Sequence, residues 1–118
     1  MTKKEYIKGI KECDVVSDRV TAINSIYNSE ISGILANVIS FADSIDFFDE
    51  ERRALSFKEI CNPKKYLCFD FVSIGLVPVI DSYDNTYIVY IISEDKWAKF
   101  NIVDETLFKK KKSLEELV

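Results

Sequence analysis

The sequence predicts an α+β fold: an antiparallel β-sheet built on a central hairpin at about 76–92, with amino-terminal helices and a short carboxy-terminal helix packed around it. Two apolar runs, Leu76–Ile80 and Tyr87–Ile92, are rich in the Val, Ile and Tyr that pack well on a pleated surface. Between them, Asp81, Asp84 and Asn85 supply turn chemistry, so the stretch reads as a β-hairpin. Upstream, the apolar spacing is helical instead. Ile31, Ile34, Leu35, Val38 and Ile39 fall at i, i+3, i+4, i+7 and i+8.

Taken in order, residues 2–13 read as a short helix with Tyr6, Ile7 and Ile10 on one side. Ser17 or Asp18 caps a second, in which Val20, Ile23 and Tyr27 share a face. Ser29 and Glu30 open a third that ends near Ser40, with Gly33 inside it at a cost of about 1 kcal/mol relative to Ala. One or two short strands follow, around 45–48 and 52–55. Ser56 and Glu59 match a capping box that starts a turn of helix through Cys61, and Asn62-Pro63 stops it. Lys64–Val72 reads as a further short helix, with Gly75 in the left-handed position after it.

In the hairpin, Pro78 has no backbone donor, so its strand is an edge or carries a bulge there. The second strand, free of charge, reads as central and covered on both faces. Residues 93–96 turn the chain into a strand at Trp97–Asn101, anchored by Trp97 and Phe100. Lys109–Lys112 reads as a solvated run before a terminal helix that Ser113 and Glu116 cap, with Leu114 and Leu117 facing inward.

At 118 residues the chain reads as one domain, 1–118, and its 47% hydrophobic and 31% charged content is that of a globular protein. A net charge of −4 argues against a protein that coats nucleic acid and suits a basic partner. Three cysteines in no paired spacing, Cys13, Cys61 and Cys68, with no histidine, argue against a zinc site and fit a reducing cytoplasm. No apolar run reaches membrane-spanning length, so the expectation is a cytoplasmic protein without a membrane partner, monomeric or weakly dimeric.

Parts for reaction chemistry are scarce. Three glycines, Gly9, Gly33 and Gly75, are too few and too scattered for a phosphate loop or a dinucleotide fingerprint. Lack of histidine rules out the usual nucleophile–histidine arrangements. Cys61 and Cys68 read as packing residues. Asp81 and Asp84 have three readings: turn residues, partner-binding residues, or a poor metal pair without the alternating ligands of a calcium loop. The expectation is a protein that is not an enzyme and carries no cofactor and no metal.

Acids gather in two places. Asp43, Asp46, Asp49, Glu50 and Glu51 fall within nine residues, partly answered by Arg52 and Arg53. Asp81, Asp84, Glu94, Asp95, Asp104 and Glu105 lie on turns and flanks of the expected sheet. If folding joins them, the surface steers a basic partner. The candidate partner-binding face is therefore Asp43, Asp46, Asp49, Asp81, Tyr83, Asp84 and Asp95.

The runs ALSFKEI (54–60), FDFVSIGLVPVIDSYDNTYIVY (69–90), KWAKFNIVDE (96–105) and FKKKKSLEELV (108–118) resemble the SUKH superfamily, specifically its Smi/Knr-like branch. Ser56 and Glu59 match its helix-opening LSxxEI piece. Gly75, Leu76, Pro78, Asp81, Asp84 and Asn85 match its GLIP…D…DN hairpin. Trp97 matches the tryptophan of the next strand, and Ser113, Leu114 and Leu117 the closing SLxELL. The likeness covers about residues 38–118; the family's LPxxY and Asn-Gly-Gly pieces are missing, and Ile31–Phe41 stands in their place. The resemblance implies an antiparallel sheet with helices packed around it. It also implies an immunity protein, a cytoplasmic binder that neutralises a polymorphic bacterial toxin, often a nuclease. The alternative it offers is a regulatory or scaffold module binding an endogenous partner, like the fungal regulators of cell-wall synthesis.

Overall fold

The computed structural model describes residues 2–44 and 52–118. Helix α1 spans Lys3–Glu12 and opens on a capping box the sequence reading missed: the Glu5 N–H donates to Thr2 Oγ1 (3.2 Å) and the Thr2 N–H to Glu5 Oε1 (3.3 Å). Tyr6 and Ile10 are buried on its inner side and Ile7 half-buried, as expected.

Helix α2, Ser17–Tyr27, follows Val16, which offers no side-chain cap. Ser17 and Asp18 are thus inside the first turn rather than capping it. The Val16 N–H is instead taken by Ser40 Oγ at 2.8 Å, so the next helix holds the start of this one. Ile23 and Tyr27 are buried, and Val20 half-buried.

Helix α3 runs Gly33–Phe41, two residues later than the start of the apolar stripe at Ile31 suggests. The Ile31 N–H donates to Asn24 Oδ1 (2.7 Å), which holds Ile31 outside the helix. Gly33 has φ +61, a conformation that glycine adopts freely, so it fits its place instead of weakening a helix interior. Leu35, Val38 and Ile39 face the core, while Ile34 stays 40% exposed.

The strand expected around 52–55 is β1, Arg53–Ala54; the one around 45–48 falls outside the described residues. Helix α4, Phe57–Cys61, carries the expected capping box between Ser56 and Glu59, and α5 spans only Pro63–Tyr66. The single helix expected over Lys64–Val72 is interrupted by Cys68 at φ 60 and resumes as a 3-10 turn at Val72–Ile74. Gly75 ends that turn at φ 71, as expected.

The hairpin is β2, Leu76–Asp81, and β3, Thr86–Ile91; β4, Lys96–Asn101, and β5, Thr106–Lys111, complete the sheet. β5 was not expected: most of the lysine run is an edge strand, although its lysines are exposed as foreseen. The terminal helix is a single 3-10 turn, Leu114–Glu116, with Leu114 and Leu117 buried.

The strands run in sequence order, β1-β2-β3-β4-β5, each antiparallel to its neighbour. The pairing of β2 with β3 shifts between Pro78 and Ile80, the bulge that the proline foretold. β3 is paired on both edges, and Ile88 and Val89 are wholly buried. On one sheet face Tyr87 and Phe100 pack with Phe69 and Phe71 at centroid distances of 4.9–5.8 Å. Tyr90 and Trp97, three residues away in each strand, turn to the other face and touch edge-on at 5.2 Å.

Helices and sheet share one apolar core. The Tyr27 hydroxyl crosses it to donate to the Ile60 carbonyl at 2.7 Å. Replacing Tyr27 with Phe orphans that carbonyl, so Tyr27→Phe is expected to cost about 1–2 kcal/mol, measured as a lower urea midpoint at unchanged slope.

Candidate functional site

Two turns meet at one end of the sheet. In the β2–β3 turn the Ser82 N–H donates to the Thr86 carbonyl (2.8 Å) and the Thr86 N–H to Tyr83 (3.1 Å). Tyr83, Asp84 and Asn85 all take positive φ, at 76, 53 and 59. Asp and Asn accept that region through local hydrogen bonding, whereas a bulky Tyr there is an outlier. Tyr83 is nonetheless 65% exposed, so no burial of its ring explains the strain.

The β4–β5 turn locks against it. Asn101 Oδ1 accepts the Val103 and Asp104 N–H groups at 2.9 and 3.1 Å. The Asn101 amide donates to the Asp84 carbonyl (3.3 Å), and the Ile102 N–H to the Asn85 carbonyl (3.0 Å). The result is one braced tip that carries Tyr83, Val103 (69% exposed), Asp84, Asp104 and Glu105. Among the described residues none of these three carboxylates has an ion-pair partner.

Asp81 sits at the base of the tip, and Arg53 approaches it at 3.8 Å. Arg53 is committed mainly to Glu59, through a bidentate pair at 2.7 and 2.8 Å. Glu59 also accepts the Ser56 N–H at 2.9 Å, so one carboxylate closes the α4 cap and neutralises an arginine. Asp43 lies near the start of the same helix, 3.4 Å from both Arg19 and the Phe57 N–H. Arg19 in turn stacks over the Phe57 ring at 4.7 Å and donates to the Ile39 and Ala42 carbonyls at the end of α3. Asp43 and Asp81 are therefore answered by cations of their own chain.

Asp95 belongs elsewhere. It lies in the β3–β4 turn, about 20 Å from the tip along the six residues of β3. There it accepts the Tyr90 hydroxyl at 2.5 Å. Burial, and then this hydrogen bond, push the Tyr90 phenol up to about 12. Glu94, beside it, pairs with Lys110 at 3.0 Å. Asp46 and Asp49 lie outside the described residues.

Of the seven expected residues, the fold thus brings Asp81, Tyr83 and Asp84 together, sets Asp43 beside α4 and sends Asp95 to the opposite end. What sequence reasoning left out of the site is Val103, Asp104 and Glu105. The signal was the Asn101–Asp104 stretch, whose side-chain-to-backbone bonding makes a hairpin turn once a strand is recognised after it. Among the described residues no three Cys, Asp or Glu side chains converge as metal ligands, and no helix is long and apolar enough to cross a membrane. Comparison with protein-family models, with curated proteins and with solved structures finds no significant match.

The hydrogen bond from Arg53, assisted by the Ser56 N–H and opposed by partial burial, holds the Glu59 carboxyl below the usual glutamate range. A lowered folded-state pKa stabilises the fold above the ordinary glutamate pKa, and that contribution is lost as pH falls through the folded value. Urea midpoints measured from pH 7 down to pH 3 are therefore expected to fall less steeply in Glu59→Gln than in the parent protein.

Proposed function

We propose that this chain is an immunity protein of the SUKH type: a non-catalytic cytoplasmic binder that neutralises a basic toxin domain by covering its active site. The observation that carries the reading is the tip formed by the β2–β3 and β4–β5 turns. Three carboxylates without an ion-pair partner among the described residues share this tip with an exposed aromatic ring and an exposed valine, on a hydrogen-bonded base. Such an arrangement favours a basic protein surface in two ways. The acids speed encounter and set orientation, and the ring supplies a rigid anchor whose contact area costs little side-chain entropy. Hydrogen bonds that fix the base before contact reduce the ordering cost of binding.

Tyr83 separates a binding role from a structural one. Its backbone suits Asn better than Tyr, so Tyr83→Asn is expected to leave the unfolding free energy unchanged or raise it by up to about 1 kcal/mol, read from the urea midpoint at unchanged slope. The same substitution is expected to weaken the partner by about tenfold or more, as loss of a central aromatic anchor does. Double charge reversal at Asp84 and Asp104 is expected to slow association and to remove its salt dependence.

The partner is identified by affinity capture on the native protein from source cells, followed by mass spectrometry, and by co-expression with any toxin encoded next to its gene. Restored growth that is lost in Tyr83→Asn supports the reading. Capture of an endogenous regulatory protein in place of a toxin, with growth inhibition unrelieved, transfers it to the regulatory alternative.

A further inference from the structure

At the other end of the sheet, a cleft of about 300 Å³ opens between α1, the start of α3 and the sheet face that carries Tyr90 and Trp97. Part of its lining is apolar, with Ile7 and Ile10 from α1, Ile34 and Leu35 from α3, Trp97 from β4 and Leu114 from the terminal turn, and polar and charged side chains such as Lys11, Asp95, Lys112 and Glu115 complete it. Ile34, 40% exposed, forms part of its lip. A shallower trough of about 470 Å³ continues from it along α1, and the two share Ile7, Lys11 and Glu115.

The charge of this surface is opposite to that of the tip. Two carboxylates on the cleft are already engaged within the chain, Asp95 by the Tyr90 hydroxyl and Glu115 by Lys11. Along the trough Lys3, Lys4 and Lys8 have no ion-pair partner among the described residues, and neither has Lys112 at the cleft. Glu12 is the one carboxylate of the trough left unengaged. Lys4, Lys8 and Lys11 follow one another at i, i+4 and i+7, a row about 10 Å long on one side of α1.

We propose that the cleft and trough form a second binding site, which takes an extended acidic peptide segment. One apolar side chain of the segment fills the cleft against Ile34 and Trp97, and its flanking carboxylates lie along Lys8 and Lys4 and against Lys112. Elongation favours a peptide over a compact small molecule, because the lysine row extends well past the cleft that holds the anchor. The inference is independent of the toxin reading, since the sites are at opposite ends of the sheet and opposite in charge.

Trp97 is the chain's single tryptophan and lies in the cleft wall, so its emission reports on this site alone. The probe is a synthetic decapeptide with a central leucine–phenylalanine pair flanked by glutamates. Its controls replace the glutamates by lysine, or the apolar pair by alanine. The glutamate peptide is expected to give a saturable change in Trp97 emission, and both controls none. Ile34→Glu and, separately, Lys8→Glu are expected to weaken binding by about tenfold. Both positions are exposed, and circular dichroism confirms that each variant is folded. Tyr83→Asn, at the far tip, is expected to bind as the parent does. No saturable change up to about 1 mM peptide, an equal response to the lysine peptide, or full binding by the two folded variants would overturn the proposal.

Discussion

Strand β3 is the constraint on which the rest of the molecule depends. It is hydrogen-bonded along both edges and covered on both faces, with Ile88, Val89 and Ile91 buried. A charge on such a strand would be stripped of water with no partner to offset it, at a cost of several kcal/mol. The uncharged run from Tyr87 to Ile92 meets that constraint. Once it is placed, strand parity assigns the aromatic rings. Tyr87 joins Phe71 and Phe100 on one face, and Tyr90 joins Trp97 on the other. Its length also separates the two ends of the sheet, so the turn before it and the turn after it serve different surroundings.

The net charge of −4 conceals that separation. Near α4 the acids are consumed by local structure. Arg53 holds Glu59 and approaches Asp81, while Arg19 reaches Asp43 and the last carbonyls of α3. At the braced tip Asp84, Asp104 and Glu105 have no such arginine among the described residues. Along α1 the lysines are in excess. Counting acids in the sequence therefore overstates the acidic surface left open to a partner. What matters is whether a cation of the same chain lies within reach, and that depends on tertiary contacts such as the one between Arg19 and the end of α3.

The parts legible in the sequence are those whose chemistry is local. The boxes at Ser56/Glu59 and Ser113/Glu116, the left-handed Gly75, the bulge at Pro78 and the hairpin itself each involve residues a few positions apart. Strand β5 was not legible, because an edge strand with only Leu107 and Phe108 as apolar residues carries no core pattern. The late start of α3 was hidden as well. Ile31 continues the apolar stripe, but the extended Ser32 and the left-handed Gly33 break the helical path after it, and its N–H is taken by Asn24 instead. The misplacement of Asp95 is of another kind. Successive turns of an antiparallel meander alternate between ends, so the two expected strands already put Asp84 and Asp95 apart; grouping the acids by composition overrode the topology.

Tyr83 is where folding and the proposed binding role pull in different directions. Left-handed backbone costs a residue with a bulky side chain on the order of 1 kcal/mol, and burial of the ring could have offset it. The ring is 65% exposed, so that compensation is absent. Its neighbours follow the fold's own preference, with Asp84 and Asn85 in the same region. Stability alone would put Asn or Gly at the head of this turn. A large, rigid, amphipathic side chain held outward there, on a base stitched by Asn101 and Ile102, is what contact with another macromolecule requires and what the isolated chain does not.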